Sequence, residues 1–76
     1  MGEKLPQLSG KEIIKALSRA GFTALRQRGS HVILVKETSE RKRSTVVPLH
    51  KEVDKGTLLE ILRQAGITRE QLMELL

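Results

Sequence analysis

The first clear pattern along the chain is that of an amphipathic helix. Ser9 and Glu12 stand three residues apart, the spacing of a capping box at a helix N-terminus. Apolar residues then recur at helical spacing as far as Gly21, a residue typical of helix ends. The pattern predicts a helix over residues 10–20.

Three short segments typical of strands follow this helix, and the second of them is rich in β-branched residues. Gly29 and Ser30 indicate a tight turn between the first two segments, and the polar residues 39–42 indicate a loop before the third. Pro48 near the end of the third segment favours an edge position, because proline has no N–H to donate to a neighbouring strand. The predicted strands cover residues 22–28, 31–37 and 43–49.

Two more helices are predicted in the C-terminal third. Asp54 is expected to cap a helix that ends at Gly66, and Thr68 with Gln71 forms a second capping-box pattern before a short final helix. The predicted order is α-β-β-β-α with an extra C-terminal helix. A three-stranded antiparallel sheet with helices on one face is the simplest packing, so we expect an α+β fold with double-stranded-RNA-binding-domain-like topology.

Length and charge narrow the class of protein. A chain of 76 residues forms one domain, which we assign to residues 9–76 behind a flexible N-terminal arm over residues 1–8. The net charge of +5 favours a polyanionic partner, such as RNA, DNA, an acidic membrane or an acidic protein. No apolar run is long enough for a membrane span, so we expect a cytoplasmic protein without a membrane partner. Phe22 is the only aromatic residue, which argues against binding of single strands by base stacking.

His31 is the strongest candidate for chemistry. It directly follows the predicted turn and starts a strand, where a side chain is held rigidly but stays accessible. Arg26, Arg28 and Lys36 flank it in a stretch without acidic residues, and such a group of cations attracts phosphate. Imidazole can accept a proton near neutral pH, so His31 could activate a ribose 2′-hydroxyl for attack on the adjacent phosphorus. The alternative is a histidine that only binds phosphate or fills a gap.

Other candidates are less specific. Three interpretations of His50 stay open: a solvated loop residue, a phosphate contact or a second proton-transfer group. A lysine or water could also serve as the second proton-transfer group. Lys55, Gly56 and Thr57 open the second predicted helix, where backbone N–H groups can bind phosphate or simply take part in capping. The chain has no cysteine, no metal-ligand spacing and no nucleotide-binding glycine motif, so neither a metal nor another cofactor is expected.

Taken together, these motifs resemble the HicA toxins. The resemblance covers about residues 9–67 and rests on Gly29-Ser30-His31, Val46-Val47-Pro48-Leu49-His50, Lys55-Gly56-Thr57-Leu58 and Ala65-Gly66. The resemblance implies an mRNA interferase with His31 as the catalytic histidine. It also implies a HicB-type antitoxin that inhibits the enzyme by covering the face on which His31 lies. Val32 and Leu34 depart from the polar and aromatic residues often found there, which could alter how RNA lies on the strand.

We therefore expect the toxin of a toxin–antitoxin pair, a metal-independent endoribonuclease with His31 as its catalytic group. The expected RNA-binding residues are Arg26, Arg28, Ser30, Lys36, His50, Lys55, Gly56 and Thr57. One alternative is a non-catalytic RNA- or DNA-binding module of the same fold. A second alternative is a protein-interaction domain that uses its last helix.

Overall fold

The computed structural model describes residues 5–76, which form three helices and three strands. In chain order these are α1 (Gly10–Arg19), β1 (Thr23–Arg28), β2 (His31–Glu37), β3 (Lys42–Pro48), α2 (Lys55–Ala65) and α3 (Arg69–Leu75). The predicted α+β fold, with its α-β-β-β-α order and extra C-terminal helix, is confirmed. The predicted element boundaries agree with the observed ones to within one residue.

Local capping explains where α1 and α3 begin. The Ser9 hydroxyl accepts a hydrogen bond from the Glu12 backbone N–H at 3.1 Å, and the Glu12 carboxylate accepts one from the Ser9 N–H at 2.9 Å. Thr68 and Gln71 make the same reciprocal pair at α3. Each pair satisfies two N–H groups that the first turn of a helix leaves without intrahelical partners.

The three strands form an antiparallel sheet with β2 in the centre. The pairing of β1 with β2 shifts by one residue between Ala24 and Arg26, so Leu25 is an extra residue in β1. Regular alternation would place Ala24 and Arg26 on the same side of the sheet, but the bulge at Leu25 interrupts the alternation of side chains. Arg26 is paired with Ile33 instead.

All three helices lie on one side of the sheet. Four residues of β2 and β3 that point toward them are buried, namely Val32, Leu34, Thr45 and Val47. Thr45, the one polar residue among these four, donates a hydrogen bond to the Gln64 side-chain oxygen at 2.8 Å. Removing each such aliphatic side chain from water stabilises the fold by about 1.5–3 kcal/mol. The buried core comprises Leu8, Ile13, Ala16, Leu17, Phe22, Val32, Leu34, Val47, Val53, Leu58, Ile61, Leu62, Ala65 and Leu72.

The final helix belongs to this core. Leu72 is fully buried, and the Arg19 guanidinium in α1 donates a hydrogen bond to the Leu75 carbonyl at 2.6 Å. Met73 and Leu76 remain exposed. On the other side of the sheet, no element within residues 5–76 covers the strands, and Val46 is 44% exposed. This second side is called the open face below.

The predicted N-terminal arm is only partly within the described residues. Residues 1–4 lie outside them, whereas Leu8, the last residue of the predicted arm, is buried. Its carbonyl accepts a hydrogen bond from the Val53 N–H at 2.8 Å, which ties the entry of α1 to the loop before α2. Within the part of the chain that is described, every helix is too short or too polar to cross a membrane.

Candidate functional site

His31 is presented by a two-residue turn between β1 and β2. Gly29 has a positive φ of 58°, whereas φ of Ser30, the second residue of the turn, is not positive. This combination matches the type II′ turn that joins twisted antiparallel strands. An L-residue with a side chain rarely adopts this conformation, so glycine is the fitting residue here. His31 follows at the first position of β2, where it pairs with Arg28 on one side and Pro48 on the other. The side chain is exposed.

Two of the predicted cations share the open face with His31. Arg28 is the direct cross-strand partner of His31, and Arg26 is the partner of Ile33, two positions further along β2. Directly paired residues point to the same side of a sheet, and so do alternate residues of one strand. The two guanidinium groups and the imidazole therefore lie on one exposed surface, which is positively charged.

Lys36 is not brought to this surface. It lies on the helical side of β2, where its amine donates a hydrogen bond to the Ala20 carbonyl at 2.7 Å and lies 5.9 Å from the centre of the Phe22 ring. Lys36 therefore satisfies a carbonyl at the C-terminal end of α1, where a positive charge is favourable because of the helix dipole. Lys36 is the fifth residue after His31 on β2. Because successive side chains of a strand alternate between the two faces, this odd spacing places Lys36 and His31 on opposite faces.

His50 lies beside His31. The centres of the two imidazole rings are 6.5 Å apart, with the ring planes inclined at 69°, and both side chains are exposed. Ser30 contributes through its backbone, because its carbonyl accepts a hydrogen bond from the Leu49 N–H at 2.6 Å. This bond holds the loop after β3 against the turn that presents His31.

The start of α1 fixes the same loop from its other side, a role that the sequence analysis missed. The Gly10 N–H donates a hydrogen bond to the His50 carbonyl at 2.9 Å. A Cβ atom at Gly10 would overlap the Pro48 carbonyl oxygen and lie 3.0 Å from the Leu49 Cα atom. Only glycine permits this close approach of two backbones. A glycine directly after an N-cap serine is the one sequence signal that could have indicated it.

The N-terminus of α2 begins five residues after His50. Lys55 and Gly56 are exposed there, which a phosphate contact would require, but a carboxylate already occupies the cap. Asp54 accepts hydrogen bonds from the Thr57 hydroxyl at 2.7 Å and the Thr57 N–H at 3.1 Å. These hydrogen bonds from Thr57 hold the pKa of Asp54 below its ordinary value of 3.8. Lys55 and the remaining free N–H groups are what this helix end offers to an anion.

The arrangement combines groups capable of proton transfer with groups that attract phosphate. The two accessible imidazoles are of the first kind, and Arg26 and Arg28 provide positive charge on the same surface. Within residues 5–76, no three histidine, aspartate or glutamate side chains come together in a way that could hold a metal ion. The described site consists of imidazoles, guanidinium groups, the Lys55 amine and backbone N–H groups.

Fold and site together define a small α+β domain with the strand and helix order of a double-stranded-RNA-binding domain and an exposed pair of histidines at one end of its sheet. The family profile described as the HicA toxin of bacterial toxin–antitoxin systems matches residues 10–67, more than half of the chain. The chain belongs to this family of toxins, as its motifs predicted. A search among curated proteins gives no match to the chain.

Proposed function

We propose that this chain is an endoribonuclease that cleaves mRNA and uses His31 as a catalytic group. The observation that carries the proposal is the position of His31, exposed at the start of β2 and directly opposite Arg28. Membership of the HicA family supports the same assignment, because toxins of this family act generally as mRNA interferases.

The reaction follows from the chemistry of RNA. A nitrogen of His31 removes the proton from a ribose 2′-hydroxyl, and the 2′-oxygen then forms a bond to the adjacent phosphorus. The bond between phosphorus and the 5′-oxygen breaks, and this oxygen takes up a proton. The products are a 2′,3′-cyclic phosphate and a 5′-hydroxyl end. DNA has no 2′-hydroxyl and is not a substrate for this reaction.

The open face supplies the groups that hold RNA in this reaction. Arg28 and Arg26 contact the phosphate oxygens, where charge increases as the new bond forms. Ser30 and His50 border the same phosphate from the turn and the adjoining loop. The start of α2, at Lys55–Thr57, contacts the RNA backbone further along. Lys36 is left out of this proposal, because its amine is engaged with the Ala20 carbonyl on the helical side.

Three properties complete the proposal. Cleavage proceeds without a metal ion, since imidazole groups perform the proton transfers. A HicB-type antitoxin inhibits the toxin by covering the open face, where the exposed Val46 and the arginines are available to an acidic and partly apolar partner. The protein acts in the cytoplasm, where mRNA is translated.

The decisive experiment compares the purified wild type with His31→Ala on one RNA and on the DNA of the same sequence. We expect the wild type to cut RNA only, with 2′,3′-cyclic phosphate ends, and to do so in the presence of a metal chelator. His31→Ala should lower the rate by about 100- to 10,000-fold. Expression of the wild type alone should arrest growth, and either His31→Ala or co-expression of the antitoxin should restore it.

A matched control separates loss of chemistry from loss of charge or structure. Lys15 lies exposed on α1, on the helical side of the molecule, and Lys15→Ala should cleave RNA at the wild-type rate. Cleavage of DNA, or full activity of His31→Ala, would contradict the proposal. RNA binding that weakens steeply with salt, without any cleavage by the wild type, would instead identify the non-catalytic binding module.

A further inference from the structure

We propose that His50 is the second proton-transfer group of the site and donates the proton to the leaving 5′-oxygen. This inference rests on the proposed ribonuclease function and names the acid that the reaction requires. It starts from the 6.5 Å distance between the ring centres of His31 and His50, two residues that are 19 positions apart in the chain.

The position of His50 is determined by the backbone and not by its own side chain. The Leu49 N–H is bonded to the Ser30 carbonyl, directly before His31, and the His50 carbonyl is bonded to the Gly10 N–H. Pro48, two residues earlier, is paired with His31 across the sheet. The loop is therefore held to the His31 turn on one side and to α1 on the other. This double anchoring fixes the backbone from which the His50 side chain projects toward the site.

The distance between the two rings is suited to one phosphodiester. In phosphoryl transfer the attacking and leaving oxygens lie roughly in line, on opposite sides of phosphorus. A base and an acid that each reach their oxygen within hydrogen-bond distance must then have nitrogens about 5–8 Å apart. The ring-centre distance of 6.5 Å is compatible with this span. A single imidazole cannot reach both oxygens at once in that geometry.

The proton balance of the pair is complete. His31 starts as neutral imidazole and gains the proton of the 2′-hydroxyl. His50 starts as imidazolium and gives its proton to the 5′-oxygen as the bond between phosphorus and that oxygen breaks. Each histidine ends in the state in which the other began, and exchange with water restores both. Neither a metal ion nor another reactant is needed.

A substrate with sulfur in place of the 5′-oxygen at one linkage tests the role of His50, because a thiolate leaves without a proton. We expect His50→Gln to cleave ordinary RNA about 100- to 10,000-fold more slowly than the wild type. It should cleave the sulfur-substituted RNA at nearly the wild-type rate. His31→Ala should be slow on both substrates, because the 2′-hydroxyl must still lose its proton.

The pH profile gives a second readout. A general base must be unprotonated and a general acid must be protonated, so the wild-type rate should rise and then fall as the pH increases. His50→Gln should lose the fall on the alkaline side and keep the rise on the acidic side. Glu52→Gln, a change at an exposed residue of the same loop, should keep the complete wild-type profile.

The ratio of the two substrate rates does not depend on the fraction of folded protein, so it remains valid if His50→Gln is less stable than the wild type. A second variant, His50→Asn, should give the same ratio. An equal loss on both substrates, or unchanged cleavage of ordinary RNA by both variants, would overturn the acid role and leave the ribonuclease assignment intact. A wild type that cleaves neither substrate would overturn the ribonuclease function and the histidine pair together.

Discussion

At the scale of single residues, Gly10 couples the folding of the domain to its site. Its N–H holds the His50 carbonyl, and a side chain at this position would overlap the Pro48 carbonyl. We expect Gly10→Ala to lower the free energy of unfolding by about 1–3 kcal/mol, because the helix and the loop must separate. RNA cleavage should fall about 100-fold, since a displacement of about 1 Å has that effect on a catalytic group. Urea unfolding and initial cleavage rates measure the two effects.

Gly56→Ala is the matched control for stability. Gly56 also lies at the start of a helix, but a Cβ atom there meets only the Asp54 carboxylate, at 3.3 Å. Alanine is the better helix former by about 1 kcal/mol in a helix interior, which offsets a small shift of the Asp54 carboxylate, so this variant should lose less stability than Gly10→Ala. If Gly10→Ala unfolded at the same urea concentration as Gly56→Ala, the close approach at Pro48 would have no energetic consequence.

At the scale of elements, the cap of α2 makes one part of the stability depend on pH. Hydrogen bonds from Thr57 lower the pKa of Asp54 in the folded chain, so the ionised carboxylate stabilises the fold. That stabilisation is fully present above the ordinary pKa of 3.8 and is lost as the pH falls through the lower folded value. Asn caps helices about as well as Asp but does not titrate.

We therefore expect the stability difference between wild type and Asp54→Asn to change between pH 5 and pH 2, to the disadvantage of the wild type at low pH. Urea unfolding of both proteins across this range measures the difference. An NMR titration of the Asp54 carboxyl should give a midpoint below 3.8. A midpoint at or above that value would show that the Thr57 hydrogen bonds do not act on this group.

The elements differ in how far the sequence predicts them, and the difference lies in the range of the interactions. The capping box of α1 needs only Ser9 and Glu12, so its start is visible in four consecutive residues. The bulge at Leu25 depends on how β1 pairs with β2, and nothing in the local sequence of β1 marks it. Strand existence was therefore predictable, whereas the face on which Arg26 lies was not.

The candidate site divides in the same way. His31 could be identified because Gly29-Ser30 before it predicts the turn and the β-branched residues after it predict the strand. The proximity of His50 could not, because it requires the register of β3 on β2 and two backbone hydrogen bonds, from the Leu49 N–H to the Ser30 carbonyl and from the Gly10 N–H to the His50 carbonyl. The charge of Lys36 was evident, but its engagement with Ala20 depends on the packing of α1 against the sheet.

At the scale of the whole molecule, the fold separates two surfaces with different tasks. The helices bury the aliphatic core on one side of the sheet, and the chain carries a net charge of +5 around it. On the open face, Arg26 and Arg28 lie with His31 on one exposed surface, whereas Lys36 on the other side serves the structure. RNA binding should consequently depend on which side of the sheet a cation occupies and not on net charge alone.

The salt dependence of RNA binding distinguishes the open face of the sheet from the helical side. For this test, Arg28 on the open face and Lys36 on the helical side are each replaced by Met, which keeps much of the apolar part of the side chain. In a His31→Ala background, where the RNA stays intact, Arg28→Met should weaken RNA binding. It should also reduce the slope of log affinity against log salt by about 0.7–0.9, because one phosphate contact is lost. Lys36→Met removes the same charge from the helical side and should leave that slope unchanged, although it lowers stability through the lost bond to the Ala20 carbonyl. Equal slopes for the two variants, measured by fluorescence anisotropy with a labelled RNA, would mean that RNA responds to the overall charge and that the open face is not its binding surface.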